Sequence, residues 1–184
     1  MSKILLTSNG FFTDVIKQQF LQLINGHLAN KKATIITTAS QQKQSNKFAI
    51  KAKEDLLRMG FNQVDFTDVE FDKPDSLENY HVIYINGGNP FYLLYHLKKS
   101  GADSILKKLA KQDIVFVGVS AGAIIFGQNI EVVNFFTPQM NNIDMQDLTA
   151  IGITNKTIFP HYDREDLFPD QLGRSIEDRL KVFE

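Results

Sequence analysis

A serine between two glycines is the residue of this chain best suited to chemistry. Residues 118–123 read Gly-Val-Ser-Ala-Gly-Ala, which places Ser120 in the pattern G-x-S-x-G directly after an apolar run at 114–117. Where a strand turns sharply into a helix, such a serine is held in a strained conformation with its hydroxyl exposed. The N–H groups and positive dipole end of the helix would stabilise an oxyanion. Ser120 is therefore a candidate nucleophile; a serine that only caps a helix is the alternative.

His161 is the candidate general base for this serine. A serine nucleophile needs a base within hydrogen-bond reach. His161 follows an apolar run at 157–159 that predicts a strand, and it comes after the serine in the chain, as in sheet-based serine hydrolases. The alternative is a loop histidine bonded to nearby carboxylates such as Asp163. The remaining histidines, which are more typical of solvated or structural positions, are His27, His81 and His96.

A glycine pair after another predicted strand could complete the site. Gly87-Gly88 follows residues 81–85, and glycine lets backbone N–H groups approach a ligand closely. The N–H groups of Gly88 and Ala121 could together form an oxyanion hole. The alternative is an ordinary turn before a helix that starts at Pro90. Neither phosphate-binding pattern, G-x-x-x-x-G-K-[ST] or G-x-G-x-x-G, is present.

The elements that must position these residues alternate along the chain. Short β-branched runs predict strands, and the longer segments between them predict helices, the pattern of a parallel sheet covered on both faces. We predict an α/β fold, a three-layer αβα arrangement with a mostly parallel sheet. The predicted strands are 3–7, 33–38, 63–67, 81–85 and 114–119, with two weaker ones at 130–133 and 157–159. The predicted helices are 13–25, 47–59, 90–97, 102–111, 121–126 and 176–183.

Composition bounds the function classes. The 184 residues carry 20 Lys and Arg against 21 Asp and Glu, and this balance argues against a nucleic-acid partner. The absence of cysteine excludes a disulfide scaffold, a thiolate metal site and a cysteine nucleophile. The chain has no signal-peptide pattern and no apolar run long enough to span a membrane. We therefore expect one cytoplasmic domain over residues 1–184.

Three segments together resemble the peptidase E family of serine peptidases, the α-aspartyl dipeptidases and their relatives. Residues 85–89, Ile-Asn-Gly-Gly-Asn, are similar to the family's G-G-N loop. Residues 118–123 match its G-x-S-A-G-A turn, and residues 159–162, Phe-Pro-His-Tyr, are similar to its P-H-[FY] site. The order and spacing also agree, and the resemblance runs from residue 3 to about residue 180.

The resemblance implies a flavodoxin-like sheet related to class I glutamine amidotransferase domains, and a serine peptidase that cleaves short peptides. It implies Ser120 as nucleophile and His161 as base, with oxyanion donors at Gly88 and Ala121. Asn89 and Tyr162 become candidate substrate-binding residues. Members of the family cleave after an N-terminal aspartate without metal or cofactor, so we expect no metal and no cofactor, and Asp-X dipeptides are one expected class of substrate.

The chain departs from the family in three places. The family's acidic triad member lies beyond the last helix, where this chain, ending at Glu184, has no matching position. Residues 134–136, Asn-Phe-Phe, replace a T-N-D pattern that holds another acidic candidate. Ile176 replaces an arginine suggested to read the substrate's aspartate. Carboxylates that could substitute for the triad member are Asp144, Asp147, Asp163, Glu165 and Asp166.

These departures leave two further hypotheses beside the peptidase. One is a catalytically weakened binding protein that retains the serine turn. The other is a small esterase, which would share G-x-S-x-G and the order of serine before histidine. Several aromatic residues have two interpretations, either as the lining of a substrate pocket or as part of the core: Tyr92, Tyr95, Phe135, Phe136 and Phe168. A homodimer is compatible with the sequence.

Overall fold

Parallel strands form the layer on which the rest of the chain packs. The computed structural model describes residues 3–183. Within them, one five-stranded sheet has the order β1-β5-β4-β2-β3, and every neighbouring pair is parallel. The strands are β1 (Lys3–Thr7), β2 (Lys32–Ile36), β3 (Gln63–Thr67), β4 (Val82–Ile85) and β5 (Val115–Val119).

Helices cover both faces of this sheet. They are α1 (Asp14–Leu23), α2 (Lys47–Met59), α3 (Pro90–Ser100), α4 (Ala102–Leu109), α5 (Ala121–Ile124), α6 (Glu131–Phe136) and α7 (Ile176–Phe183). Short 3-10 turns occur at Leu28–Asn30, Lys43–Ser45, Pro74–Asn79, Pro138–Met140 and Glu165–Leu167. None of the helices in the described part of the chain is long and apolar enough to cross a membrane.

The continuous apolar character of the central strands follows from this double cover. Side chains alternate between the two faces of a strand. In β4, Val82 and Tyr84 therefore enter the core beneath α1 and α2, whereas Ile83 and Ile85 enter the core beneath α3 and α4. Because each face is buried, both sets must be apolar. The predicted three-layer αβα fold is confirmed.

The strand order brings the candidate residues to one edge of the sheet. Strands β2 to β5 are arranged 3-2-4-5, which is the flavodoxin-like order shifted by one strand, and β1 adds beside β5. The carboxyl ends of β1, β5 and β4 are consequently neighbours. Ser8, Ser120 and the Gly87-Gly88 pair, which follow those three strands, meet there.

Three of the predicted elements are wrong in part. Residues 130–133 belong mostly to α6 rather than to a strand, because the Asn129 side chain accepts a hydrogen bond from the Glu131 N–H and starts a helical turn. Residues 157–159 have no regular structure. Helix α5 ends at Ile124, so its single turn gives local N–H groups but little helix dipole.

Candidate active site

The turn at Ser120 is strained, as its sequence pattern predicts. Ser120 has φ 50° and ψ −114°, an unusual conformation for a residue with a side chain, and its N–H donates to the Thr7 carbonyl at 3.0 Å. Gly122 permits the sharp reversal, because a β-carbon at that position would collide with the Ile85 carbonyl oxygen. The serine therefore projects from the sheet edge at the start of α5.

His161 lies beside this serine. Its Nε2 is 3.1 Å from the Ser120 Oγ, within hydrogen-bond distance. His161 also has a positive φ, 61°. Both members of the pair therefore adopt backbone conformations that cost energy and that occur mainly at functional sites. The predicted strand before His161 is absent, and the loop is instead tied to the sheet by a hydrogen bond from the His161 N–H to the Ser8 Oγ, 3.1 Å long.

Ser8 is a residue that the sequence reasoning missed. It directly follows β1, and β1 pairs with β5, the strand that leads to Ser120. Its hydroxyl holds the backbone of His161 and so influences where the imidazole lies. The signal that could have found Ser8 is its position at the carboxyl end of a strand. That signal points to the site only when it is known that β1 pairs with β5, the strand that leads to Ser120.

The surroundings of the imidazole favour its neutral form. Burial lowers the pKa of His161 below its ordinary value, and the positive charge of Arg164 lowers it further, while Asp163 acts in the opposite direction. A neutral imidazole can accept the proton of a serine hydroxyl. The electrostatics are thus those that a general base at Nε2 requires.

Within residues 3–183 no carboxylate hydrogen-bonds to the His161 ring. Asp147, for example, binds the Lys98 ammonium group at 2.6 Å instead. No hydrogen bond joins the ring to any acidic candidate considered from the sequence, namely Asp144, Asp147, Asp163, Glu165 and Asp166, although the charge of Asp163 acts on the ring. In the described part of the chain, the serine and histidine therefore form a pair rather than a triad.

Two backbone N–H groups at the cavity have no acceptor in the described part of the chain. Gly88 and Ala121 donate to no acceptor among residues 3–183, and both residues line the cavity that contains Ser120 and His161. Gly88 has φ 147°, and a β-carbon there would collide with the Ala39 carbonyl oxygen. The Asn89 N–H donates to that same oxygen at 2.8 Å, which fixes the loop. Both N–H groups are therefore available as donors to a ligand.

The cavity itself measures about 240 Å³. Its remaining lining is almost entirely apolar and comes from α5, α6 and the loops that follow; it includes Ile124, Val133, Phe136, Met140, Phe159, Leu167 and Phe168. Phe136 and Phe168, named from the sequence as pocket or core residues, thus belong to the pocket. The other aromatic residues considered do not line it: Tyr92, Tyr95 and Phe135.

Neither predicted substrate-binding residue lines this cavity. The Asn89 side-chain oxygen accepts hydrogen bonds from the N–H groups of Phe91 and Tyr92 at the start of α3, and its amide donates to the Met140 carbonyl at 2.7 Å. Tyr162 is exposed at the surface. Asn89 therefore braces the loops around the site, and substrate contact by Asn89 or Tyr162 stays a prediction.

Comparisons with known proteins give the family. The model of peptidase family S51 matches residues 4–181. An uncharacterized peptidase of Pasteurella multocida is 30% identical over 169 residues, which cover 88% of this chain and 78% of that protein. Peptidase E of Streptomyces coelicolor is 26% identical over 107 residues, 58% of this chain and 42% of that protein.

The fold comparison agrees. A crystal structure from Listeria monocytogenes described as a peptidase E protein superposes with a TM-score of 0.78 over all of this chain and 86% of the other, at 24% identity. That likeness shows the fold, and the match over residues 4–181 shows the family. The chain belongs to peptidase family S51 and is a serine-type peptidase.

Proposed function

We propose that the protein hydrolyses short peptides by attack of Ser120 on the peptide carbonyl, with His161 as general base. The observation that carries the proposal is the 3.1 Å distance between His161 Nε2 and Ser120 Oγ at a cavity with two unpaired backbone N–H groups. Nucleophile, base and oxyanion donors are the three parts that acyl transfer requires.

In the first step, the Ser120 hydroxyl gives its proton to the neutral Nε2 as Oγ bonds to the carbonyl carbon. The negative charge that develops on the carbonyl oxygen is stabilised by the N–H groups of Gly88 and Ala121. The resulting imidazolium protonates the leaving amine, and the C–N bond breaks to give an acyl-enzyme. Water then loses a proton to His161 and attacks the ester carbonyl, and the ester bond breaks as the imidazolium returns that proton to Ser120 Oγ, which releases the acid and regenerates the free enzyme.

The size of the cavity supports a small substrate. A volume of about 240 Å³ lies below the roughly 300–1,000 Å³ of most small-molecule pockets. Such a cavity accommodates the side chain next to the scissile bond but no folded segment of a protein. Short peptides are therefore the substrates proposed here, and the resemblance to α-aspartyl dipeptidases makes Asp-X dipeptides one class to test.

The size of the loss in kcat caused by Ser120→Ala tests whether a carboxylate assists His161. In a serine peptidase with a complete triad, loss of the nucleophile lowers kcat by about 10⁶-fold and loss of the carboxylate alone by about 10⁴-fold. A pair of Ser120 and His161 without a carboxylate therefore predicts a loss of about 10²-fold for Ser120→Ala, the ratio of those values. A loss near 10⁶-fold would mean that an acidic residue completes the site.

The experiment compares wild type, Ser120→Ala and Ser76→Ala on dipeptides that include Asp-Leu and Leu-Ala. Ser76 is a serine of the Pro74–Asn79 turn, outside the cavity, and serves as the matched control. We expect hydrolysis by wild type and Ser76→Ala, strongly reduced hydrolysis by Ser120→Ala, and equal thermal stability in all three. Undiminished activity of Ser120→Ala would overturn the proposal.

One observation favours a second candidate, a binding protein with little turnover. The His161 ring has no carboxylate partner among residues 3–183, and an imidazole without one is oriented less firmly. A fluorophosphonate, which reacts with activated serines whatever their substrate, separates the two. Labelling that depends on Ser120 supports the peptidase; no labelling and no hydrolysis, together with stabilisation by dipeptides, supports the binding protein.

A further inference from the structure

The cavity beside Ser120 contains no charged group that could read an acidic substrate. No Lys or Arg is among the described residues that line it. Ile176, at the place of the family's suggested aspartate-reading arginine, is buried in the core and does not line the cavity. The inference below rests on the proposed function, because it concerns the substrate of the same site.

Three aromatic rings form one wall of this cavity. The ring centroids of Phe136 and Phe159 are 4.5 Å apart, those of Phe159 and Phe168 are 5.0 Å apart, and those of Phe136 and Phe168 are 5.8 Å apart. Ile124 and Met140 extend the same apolar surface. Side chains in such mutual contact form a preorganised surface for another apolar group.

Two cations near this wall, Arg164 and Arg179, are already engaged. Arg164 forms an ion pair with Asp166 at 2.6 Å. The Arg179 guanidinium lies 4.2 Å from the ring centroid of Phe136, its Nη1 donates to the Phe168 carbonyl at 2.8 Å, and its Nε is 3.7 Å from an Asp170 carboxylate oxygen. Only 6% of its side chain is exposed, and it does not line the cavity. Arg179 therefore supports the aromatic wall and is not free to pair with a substrate carboxylate.

The position of the oxyanion donors decides which substrate residue meets the wall. Gly88 and Ala121 line the cavity together with Ile124. A carbonyl oxygen held by these two N–H groups brings the side chain of its own residue, one carbon away, into that cavity. His161, which must protonate the leaving amine, lines the same cavity, so the residue on the leaving-group side is the alternative occupant. The wall is assigned to the acyl-side residue because its side chain is attached next to the carbonyl that the two N–H groups would hold, and the comparison of Leu-Ala with Ala-Leu below tests that assignment.

We propose that this site selects short peptides whose acyl-side residue is large and apolar or aromatic, such as Leu, Met or Phe, over those with aspartate there. An apolar side chain that enters the cavity is transferred from water to an apolar surface, which favours binding. An aspartate carboxylate would lose its hydration without a partner, which disfavours binding strongly. A single methylene group more or less in a hydrophobic pocket already changes kcat/KM by roughly 10–200-fold.

The first test measures kcat/KM for Leu-Ala, Phe-Ala, Asp-Ala and Ala-Leu. We expect Leu-Ala and Phe-Ala to exceed Asp-Ala by at least about 10-fold, and Leu-Ala to exceed Ala-Leu, which carries the large side chain on the leaving group. A preference for Asp-Ala, or equal rates for Asp-Ala and Leu-Ala, overturns the inference. A preference for Ala-Leu over Leu-Ala overturns the assignment to the acyl side.

A charge introduced at the rim gives the second test. Leu167 lines the cavity and is 42% exposed, so Leu167→Lys adds a cation there without burying it fully. The matched control is Leu172→Lys, at a residue 77% exposed that does not line the cavity. We expect Leu167→Lys to raise the ratio of Asp-Ala to Leu-Ala hydrolysis by about 2–5-fold, and Leu172→Lys to leave it unchanged. An unchanged ratio in both variants contradicts the inference.

Binding to the inactive variant separates failure of the inference from failure of the proposed function. Calorimetry with Ser120→Ala gives the dissociation constants of Leu-Ala and Asp-Ala without turnover. Tighter binding of Leu-Ala supports the apolar pocket even where hydrolysis is absent. Tighter binding of Asp-Ala overturns it, and Ser120-dependent labelling of the wild type by a fluorophosphonate would then leave the peptidase mechanism intact.

Discussion

Replacing Gly88 by alanine should impair both folding and catalysis. Gly88 has φ 147°, and a β-carbon there would lie 2.5 Å from the Ala39 carbonyl carbon and 2.9 Å from the Ser40 nitrogen. Both contacts are with backbone, which cannot rotate away as a side chain does. The Ala39 carbonyl is further fixed because it accepts the Asn89 N–H at 2.8 Å. The loop that carries the Gly88 N–H must therefore move.

The loss of stability expected for Gly88→Ala has two parts. A residue with a β-carbon in such a backbone conformation costs about 1–3 kcal/mol, and an extra carbon forced into packed structure costs about 1–3 kcal/mol more. The free energy of unfolding should thus fall by about 2–6 kcal/mol, a large share of the roughly 5–15 kcal/mol of a natural domain. If the loop moves, the proposed oxyanion donor at Gly88 is misplaced, and kcat should fall by about 10²–10³-fold.

Gly101→Ala is the matched control. Gly101 also has a positive φ, 80°, but a β-carbon there would meet no atom within 4 Å. It should lose about 1–2 kcal/mol of stability from its backbone conformation alone and keep full activity, since Gly101 does not line the cavity. Comparison of the two variants isolates the collision with Ala39 from the general cost of a positive φ.

The assay is urea unfolding followed by circular dichroism, together with kcat and KM for Leu-Ala at a temperature where all variants are folded. We expect a lower urea midpoint for Gly88→Ala than for Gly101→Ala, and a loss of kcat only in Gly88→Ala. The reasoning is refuted by equal midpoints for the two variants, or by a folded Gly88→Ala protein with the kcat of the wild type.

Two further predictions concern His161. Burial and the charge of Arg164 lower the pKa of His161, and a general base must be neutral, so kcat/KM should rise with pH to a plateau through a midpoint below 6.5. Arg164→Gln should move this midpoint upward. The control Arg58→Gln, on the exposed face of α2, should leave the midpoint in place. Movement in the opposite direction would contradict the assignment of the base. Ser8→Ala removes the hydrogen bond from the His161 N–H, which is worth about 0.5–1.5 kcal/mol, and should lower kcat by about 2–10-fold with KM unchanged. Ser8→Thr, which keeps a hydroxyl, should restore kcat. A loss of kcat that Ser8→Thr does not restore would mean that the hydroxyl has no positioning role.

Much of the fold and part of the site are predictable because they depend on short stretches of chain. The five β-branched runs became the five strands, and Gly118 to Gly122 indicated the turn that holds Ser120. The capping of α1 by Thr13 was also predictable, and its hydroxyl accepts the Ile16 N–H at 3.3 Å. In each case the residues that determine the conformation are within about four positions of one another.

Other interpretations were wrong because apolar patterning alone did not decide them. The β-branched residues 130–133 favour a strand by themselves, but the Asn129 side chain starts a helical turn there. The Ile130 N–H, at the start of that turn, donates to the carbonyl of the distant Leu148. Val15, an apolar residue of α1, is 66% exposed because that helix packs mainly through Phe20. Periodicity indicates which residues can be buried, not how much of a helix the sheet covers.

The sequence by itself determined the strand-turn-helix around Ser120 and identified His161 as its partner in chain order. Only the tertiary structure decided how they meet, through Ser8 at the end of a strand that lies next to β5 in space but over 100 residues earlier in the chain. It also decided the character of the pocket, whose three rings come from residues 136, 159 and 168. Local conformation is encoded by neighbouring residues, whereas the composition of a cavity depends on which distant segments pack together.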